Sequence, residues 1–267
     1  AFLFLYGMNK QAIGIFDSGV GGTSIWKELH LLLPNESTIY LADSKHAPYG
    51  TKSKDEIVAL SKKNTELLLD KDCKLIVVAC NTATTNAINY LRAHYDVPFI
   101  GIEPAIKPAA LQSTSKAIGI LATKGTLSSQ LFHKTSELYS SNLLVVEQEG
   151  NGIVELIENG NLYSEEMKRL LQSYLKPMLA ANIDYLVLGC THYHFLTPIL
   201  EQLLPANVKI IDSGKAVALQ TKSILETKAL LNTEISGGRQ KFYTNGEKKT
   251  IASLLNIEQT ALQKLDF

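Results

Sequence analysis

Short apolar runs alternate with longer amphipathic stretches along most of the chain. The apolar runs lack the polar/apolar alternation of half-exposed strands, which is typical of strands covered on both faces of a parallel sheet. We predict buried strands at 12–16, 39–42, 75–79, 97–102, 117–122, 143–146, 184–189 and 208–211. Helical patterns lie near 24–33, 54–70, 83–94, 125–140, 165–182 and 195–204. This regular alternation predicts an α/β fold with mainly parallel sheets flanked by helices.

Three of these strand-like segments recur later in the chain, in the same order and at nearly constant spacing. The offsets are 105, 110 and 111 residues for the pairs 12–15 with 117–120, 75–80 with 185–190, and 97–100 with 208–211. The repeat unit is too long for a solenoid, and two copies are too few to form one. It favours two pseudo-symmetric α/β lobes with the active site between them.

Breaks in the pattern predict where the lobes begin and end. The first lobe is expected to comprise residues 8–103 together with a mostly helical C-terminal tail, 215–267, that packs back onto it and contains a short strand-like run at 241–245. The second lobe is expected to comprise residues 104–214. Residues 1–7 are interpreted as a leader or processing remnant ahead of a natural start at Met8, with a short extra strand as the alternative.

Composition excludes several classes of protein. The 267 residues carry 26 basic and 26 acidic side chains, so no excess of positive charge exists to drive binding to duplex nucleic acid. No apolar run approaches the roughly 18 residues that a membrane helix requires, so no membrane partner is predicted. The three cysteines are widely spaced and odd in number, which argues against a disulfide framework and favours a reducing, cytoplasmic location.

A glycine-rich turn follows the first predicted strand, in the segment DSGVGGTS from Asp17 to Ser24. It matches neither the dinucleotide-binding template nor the P-loop template, because Ser24 stands where the first needs glycine and the lysine of the second is absent. The turn nevertheless opens a helix, and its free backbone N–H groups are suited to a small anion such as a carboxylate. A purely structural turn is the alternative.

Two cysteines follow matching strands of the two predicted lobes, at the strand ends where open α/β sheets bind ligands. Cys80 precedes a helix, a position that stabilises a thiolate, and Cys190 occupies the equivalent point in the second lobe. Cys73 lies before its strand and fits a buried, inert thiol. Paired thiols on two lobes suit inversion of a stereocentre, which needs a base on one face of a carbon and an acid on the other.

A zinc site is the competing interpretation of this region. Its ligands would be Cys80, Cys190, His192 and His194, but the Cys-x-His-x-His spacing differs from that of common zinc motifs. We therefore predict no metal.

Four segments together resemble the glutamate racemases of the aspartate/glutamate racemase superfamily: FDSGVGG (16–22), PYGT (48–51), ACNTA (79–83) and LGCTHY (188–193). The resemblance extends from Met8 to about Asn256. It implies an isomerase that uses no cofactor, takes L- and D-glutamate as its small-molecule substrate, and supplies D-glutamate for peptidoglycan. Members of the family often form homodimers, although no heptad seam or other feature of this sequence defines an interface.

The same resemblance implies the roles of individual residues. The catalytic thiols would be Cys80, acting on D-glutamate, and Cys190, acting on L-glutamate, with Asp17, Glu158 and His192 assisting proton movement. The implied substrate contacts are Asp17, Ser18, Pro48, Tyr49, Gly50, Asn81, Thr82, Thr123, Thr191 and His192. Hydroxyl and amide groups of this kind can hold two carboxylates without a cationic cluster.

One departure from the family pattern affects the acidic residue. Glu149-Gly150-Asn151 stands where the family usually has Ala-Cys-Pro, so Glu155 is an alternative to Glu158. Two other functions also stay open. One is racemisation of another amino acid such as aspartate, and the other is a non-catalytic amino-acid sensor on the same fold, which would have no need for paired thiols.

Overall fold

A computed structural model describes residues 10–139, 142–235 and 237–267. It confirms the α/β class: within these residues ten strands form two sheets, and every strand pairing is parallel. The strands are β1 (Ala12–Asp17), β2 (Thr38–Ala42), β3 (Cys73–Val78), β4 (Phe99–Gly101), β5 (Ala117–Ala122), β6 (Leu144–Glu149), β7 (Tyr185–Gly189), β8 (Lys209–Ile211), β9 (Gln240–Thr244) and β10 (Leu262–Lys264). The interpretation of residues 1–7 concerns a segment outside the described residues.

The helices cover the faces of these sheets. They are α1 (Thr23–Leu32), α2 (Lys54–Asp70), α3 (Asn81–His94), α4 (Ile106–Gln112), α5 (Lys124–Leu127), α6 (Gln130–Tyr139), α7 (Ile153–Glu158), α8 (Glu165–Ala180), α9 (Thr197–Leu203), α10 (Gly214–Thr227) and α11 (Lys248–Leu255). Short 3₁₀ turns span Ser44–His46, Tyr49–Thr51, Thr191–Leu196 and Gln259–Ala261. The sequence pattern did not predict α4 or α7, which are only seven and six residues long, whereas α10 and α11 lie in the C-terminal tail that it predicted to be mostly helical.

The two sheets repeat one strand order. The first runs β10-β9-β2-β1-β3-β4 and the second runs β6-β5-β7-β8. β1 therefore corresponds to β5, β2 to β6, β3 to β7 and β4 to β8, which is the order of the sequence echoes. Because Cys80 follows β3 and Cys190 follows β7, the two thiols occupy equivalent topological positions.

The C-terminal segment completes the first sheet. β9 pairs with β2 over five residues, from Thr38↔Gln240 to Ala42↔Thr244, and β10 pairs with β9 at the sheet edge. The sequence predicted a strand near β9 but not β10. Leu262–Lys264 is three residues long with two exposed polar side chains, so its sequence carries almost no strand signal.

Local sequence explains why the elements begin and pack where they do. The central strands β1, β3, β5 and β7 are buried almost throughout, as continuous apolar runs predict. Helix α2 begins at a capping box, in which Ser53 and Glu56 satisfy each other's backbone N–H groups. Helix α8 buries a stripe made of Met167, Leu171, Leu175 and Met178.

The described part of the chain contains no helix that is both long and apolar enough to cross a lipid bilayer.

Candidate active site

The carboxyl ends of the parallel strands carry most of the predicted site residues. Asp17 ends β1, Pro48–Gly50 lie in the connection after β2, Cys80 follows β3, Thr123 follows β5 and Cys190 follows β7. Parallel sheets present their ligand-binding residues at this edge. Contacts between the two lobes then bring the two sets of residues together.

The glycine-rich turn after β1 holds two of the protein's own carboxylates. Gly22 N donates to Asp17 Oδ2 at 2.9 Å and Gly19 N donates to the same oxygen at 3.3 Å. Val20 N donates to Glu158 Oε1, in the other lobe, at 2.7 Å. Protein carboxylates therefore already occupy the backbone N–H groups of Gly19, Val20 and Gly22. For these three groups, the prediction that they bind the carboxylate of a ligand is wrong.

The glycines of this turn are needed because neighbouring groups come very close. A Cβ atom at Gly22 would lie 2.7 Å from the Asp17 Cβ, and one at Gly21 would lie 2.3 Å from His192 Nδ1. Glycine thus allows the backbone to approach both Asp17 and the second lobe.

Asp17 is fully buried, and burial raises the pKa of its carboxyl from 3.8 to about 6. The positive charge of His192 and the N–H of Gly22 oppose the shift without cancelling it. Near pH 6 this carboxyl can therefore hold or release a proton, which is the property required of a group that assists proton transfer.

We expect Asp17→Asn to stabilise the fold above pH 7. Because the folded-state pKa lies above the unfolded value, ionised Asp17 lowers stability above about pH 6, and this cost disappears as the pH falls toward 3.8. The neutral amide should raise the free energy of unfolding by about 1–3 kcal/mol at pH 8 and by much less at pH 4.5. Urea unfolding at the two pH values measures the difference.

The exposed Asp55 provides the matched control, since Asp55→Asn makes the same change in charge away from the site. An Asp17→Asn effect of the same size at both pH values would mean that titration of Asp17 is not linked to folding.

Cys80 forms the N-cap of α3. Its sulfur accepts from Ala83 N at 3.4 Å, and its thiol donates to Ser18 Oγ at 3.6 Å. We predicted that the helix N-terminus would lower the pKa of this thiol, but burial and the nearby Asp17 carboxylate outweigh the Ala83 N–H and raise it. Burial therefore favours the neutral thiol at Cys80.

Unlike Cys80, Cys190 contacts a histidine that is in turn bonded to a glutamate. Its sulfur lies 3.9 Å from His192 Nδ1, and His192 Nε2 lies 2.6 Å from Glu158 Oε1. Burial by itself would lower the pKa of His192, but the hydrogen bonds to Cys190 and Glu158 more than offset this and raise it well above 6.5. A histidinium beside Cys190 is suited to stabilising a thiolate.

The contact to His192 is made by Glu158 and not by Glu155. Glu158 ends α7, and Thr250 Oγ1 of α11 donates to its backbone carbonyl at 3.0 Å. Glu155 lies one turn earlier in the same helix and forms no hydrogen bond to His192.

Threonine hydroxyls join the two lobes beside Cys80. Thr82 Oγ1 lies 2.8 Å from Thr123 Oγ1 and 3.3 Å from Thr126 Oγ1. Gly50 packs on the same point, since a Cβ atom there would lie 2.8 Å from the Thr123 Cβ. Sequence reasoning missed Thr126, although its position one helical turn after Thr123 is a usable signal. On the Cys190 side, Thr191 Oγ1 donates to Asp17 Oδ1 at 3.4 Å.

Asn81 is the clearest indication of a ligand. Its side chain is buried, yet neither Nδ2 nor Oδ1 has a hydrogen-bond partner among the described residues. Each buried polar atom left unpaired costs about 1–3 kcal/mol. The amide of Asn81, which follows Cys80 in the chain and lines a small cavity together with Cys190 and Thr191, is thus available to donate to a carboxylate or to accept from an ammonium group.

Two side chains that the sequence suggested as site groups, Tyr49 and His194, bond to residues outside the predicted site. The hydroxyl of Tyr49 is engaged by Asp43 and Asn64. His194, a ligand in the zinc alternative, lies 2.8 Å from Asp212 Oδ2. Among residues 10–139, 142–235 and 237–267, no group of three or more His, Cys, Asp or Glu side chains is arranged to hold a metal ion.

Comparison with known proteins shows the family of the chain. Residues 22–221 match the model of the Asp/Glu/Hydantoin racemase family. The glutamate racemase of Herpetosiphon aurantiacus is 44% identical over 247 residues, which cover 92% of this chain and 97% of that protein.

Two solved structures are also similar. The glutamate racemase of Francisella tularensis, in complex with D-glutamate, is 29% identical with a TM-score of 0.83, covering 97% of this chain and 98% of that one. The Escherichia coli glutamate racemase, in complex with L-glutamate and the activator UDP-MurNAc-ala, is 31% identical with a TM-score of 0.83, covering 96% and 98%. From the family match and the relative's high identity over nearly its full length, the chain belongs to the Asp/Glu/Hydantoin racemase family.

Proposed function

We propose that this racemase interconverts L- and D-glutamate without a cofactor, by proton transfer between two thiols. The observation that carries the proposal is the equivalence of Cys80 and Cys190 in the two lobes. It is supported by the amide of Asn81, which lines a cavity with Cys190 and has no hydrogen-bond partner among the described residues. Glutamate is the favoured substrate because the similar proteins are glutamate racemases, including structures solved with each enantiomer bound.

In the proposed reaction, one sulfur acts as a thiolate and removes the Cα proton of glutamate. The other sulfur acts as a thiol and delivers its own proton to the opposite face of the same carbon, so the configuration inverts and the two sulfurs exchange protonation states. Cys190 removes the proton from L-glutamate and Cys80 removes it from D-glutamate. Reversal of the roles gives the reverse reaction.

The polar residues around the thiols have two proposed tasks. Ser18, Asn81, Thr82, Thr123 and Thr191 contact the two substrate carboxylates through their side-chain or backbone N–H groups. Asp17 assists proton movement near Cys80, and the His192–Glu158 pair does so at Cys190. The Coulomb effect of Asp17 on Cys80 and the 3.9 Å contact between His192 and Cys190 support this division.

The test is exchange of the Cα proton of each glutamate enantiomer with deuterated solvent, followed by NMR, together with the change in optical rotation. Both enantiomers should exchange and should interconvert. A protein that binds glutamate but exchanges neither enantiomer would be a sensor and would refute the proposal. Aspartate in the same assay is expected to react far more slowly.

We expect Glu158→Gln to lower kcat by roughly 10- to 100-fold, equivalent to about 1.4–2.7 kcal/mol of transition-state stabilisation. Glutamine keeps the size of the side chain but removes the charge that raises the pKa of His192. The pH–rate profile should therefore move its alkaline limb to lower pH. Glu155→Gln is the matched control in the same helix and should leave kcat within about twofold. Equal effects of the two substitutions would contradict the assignment.

We also propose that the product serves peptidoglycan synthesis in the cytoplasm. A bacterial strain that needs external D-glutamate should grow without it when it expresses this protein. The Cys190→Ser variant should not support growth. Growth with that variant would show that complementation does not depend on racemisation.

A further inference from the structure

The Tyr49 hydroxyl lies in a buried polar network beneath the candidate active site. Tyr49 is 1% exposed, donates its hydroxyl proton to Asp43 Oδ2, and accepts from Asn64 Nδ2 at 3.1 Å. A tyrosine hydroxyl has a single proton to donate. Because Asp43 takes that proton, the hydroxyl serves as an anchor for the turn that carries it and not as a donor to substrate.

Asp43 is the centre of this network. The carboxylate is 1% exposed, and its Oδ1 lies 2.5 Å from both Asn245 Nδ2 and His46 Nδ1. A carboxylate that receives several hydrogen bonds in a buried site is held in one orientation. The direction of the Tyr49 hydroxyl is therefore set by Asp43.

Asn245 connects this network to the C-terminal segment. Besides Asp43, its Nδ2 donates to the carbonyl of Phe267 at 2.8 Å, and its Oδ1 accepts from Lys45 N at 2.9 Å. Asn245 follows β9, which pairs with β2 directly before Asp43. A residue 202 positions away in sequence thus fixes both Asp43 and the backbone beside it.

The anchored turn, Tyr49–Thr51, lies where the two lobes meet. Gly50 is so close to Thr123 that no Cβ could be added without a shift, and Thr123 in turn contacts Thr82. A small displacement of Tyr49 would therefore move Gly50 at the lobe contact, beside the residues that we propose bind glutamate.

We propose that Asp43 and Asn245 are positioning residues that fix the Pro48–Gly50 segment for glutamate binding through the Tyr49 hydroxyl. This inference rests on the proposed function. It gives the C-terminal segment an indirect role in the site, exerted through Asp43 and Tyr49. Loss of either side chain should weaken substrate binding while the two thiols, which it does not touch, keep their chemistry.

The test is a double-mutant cycle of Asn245→Ala and Tyr49→Phe, with kcat and KM measured for both glutamate enantiomers. Each single variant is expected to raise KM roughly tenfold and to leave kcat within about twofold of wild type. The double variant is expected to raise KM by roughly tenfold as well, instead of the roughly hundredfold increase that independent effects would give. Non-additivity of this kind shows that Asn245 acts through Tyr49. A general loss of stability would not produce it.

Asn232→Ala is the matched control. Asn232 also ties the C-terminal segment to the first lobe, by donating from Nδ2 to Asn35 O at 2.8 Å. This contact lies just before the start of β2, whereas Asp43 follows the end of that strand. Its KM should be unchanged. If Asn245→Ala does not fold, Asp43→Asn takes its place in the cycle.

An unchanged KM in Asn245→Ala, or a hundredfold increase in the double variant, would overturn the inference. Absence of racemisation by the wild-type protein would instead refute the proposed function, so the two failures are distinguishable.

Discussion

Cys80→Ser and Cys190→Ser should each lower racemisation in both directions by about 10³-fold or more. Serine nearly preserves the size of the side chain and can keep the hydrogen bonds to Ser18 or His192. It is nevertheless too weak an acid to exchange a proton with Cα at neutral pH. Because each direction uses one sulfur to remove a proton and the other to deliver one, loss of either stops both directions.

Hydrogen exchange should separate the two thiols. Cys80→Ser retains Cys190 and is expected to exchange the Cα proton of L-glutamate without inverting it. Cys190→Ser is expected to do the same with D-glutamate only. NMR in deuterated solvent measures exchange and polarimetry measures inversion. A single variant that racemises at the wild-type rate would exclude the two-thiol mechanism.

Cys73→Ser is the control for these variants. Cys73 is also buried, and burial raises the pKa of its thiol to about 12, but it begins β3 at the end opposite Cys80. The same substitution there should leave racemisation within about twofold. A comparable loss of activity in Cys73→Ser would attribute the effect to disruption of the fold.

Lys74→Met should lower the free energy of unfolding by about 3–5 kcal/mol, the largest stability effect that we expect. Lys74 Nζ lies 2.6 Å from Glu36 Oε2 and donates to Leu230 O at 2.8 Å, and both charged side chains are at most 2% exposed. Removing the lysine leaves the Glu36 charge buried without its cation. The loss is a large fraction of the 5–15 kcal/mol typical of a folded protein.

Lys62→Met tests whether burial is the cause. Lys62 also pairs with a glutamate, Glu66, at 3.7 Å, but both side chains are about half exposed, so the cost should stay within about 0.5 kcal/mol. Adding Glu36→Gln to Lys74→Met should recover much of the lost stability, since the uncompensated charge is then gone. Urea unfolding measures all three. A cost below 1 kcal/mol for Lys74→Met would contradict this account.

Local pattern was sufficient to predict the central elements of the fold. All eight predicted strands occur as β1–β8. The central strands are continuously apolar because they are buried on both faces. For β6 and β8 the prediction of burial was wrong, since these strands form the edges of the second sheet and are only partly covered. Short elements such as α7 and β10 were missed. They contain too few residues for a periodic signal, and their positions depend on the neighbours that they pack against.

Electrostatics in the site depended on packing that no motif records. A cysteine before a helix indicates a lowered pKa, yet burial beside Asp17 reverses the direction for Cys80. The glycine-rich turn indicates a site that binds an anion. In the structure its backbone N–H groups bind carboxylates of the protein itself, those of Asp17 and Glu158.

The sequence by itself determined the α/β class, the order of equivalent strands and the pair of cysteines placed at matching strand ends. These features are local or repeated, so they can be detected along the chain. Only the tertiary structure decided that Glu158 and not Glu155 reaches His192, that the Asn81 side chain has no hydrogen-bond partner among the described residues, and that Asn245 holds Asp43, which in turn holds Tyr49. Such contacts join residues up to 202 positions apart, and their burial and distances exist only once the two lobes have packed together.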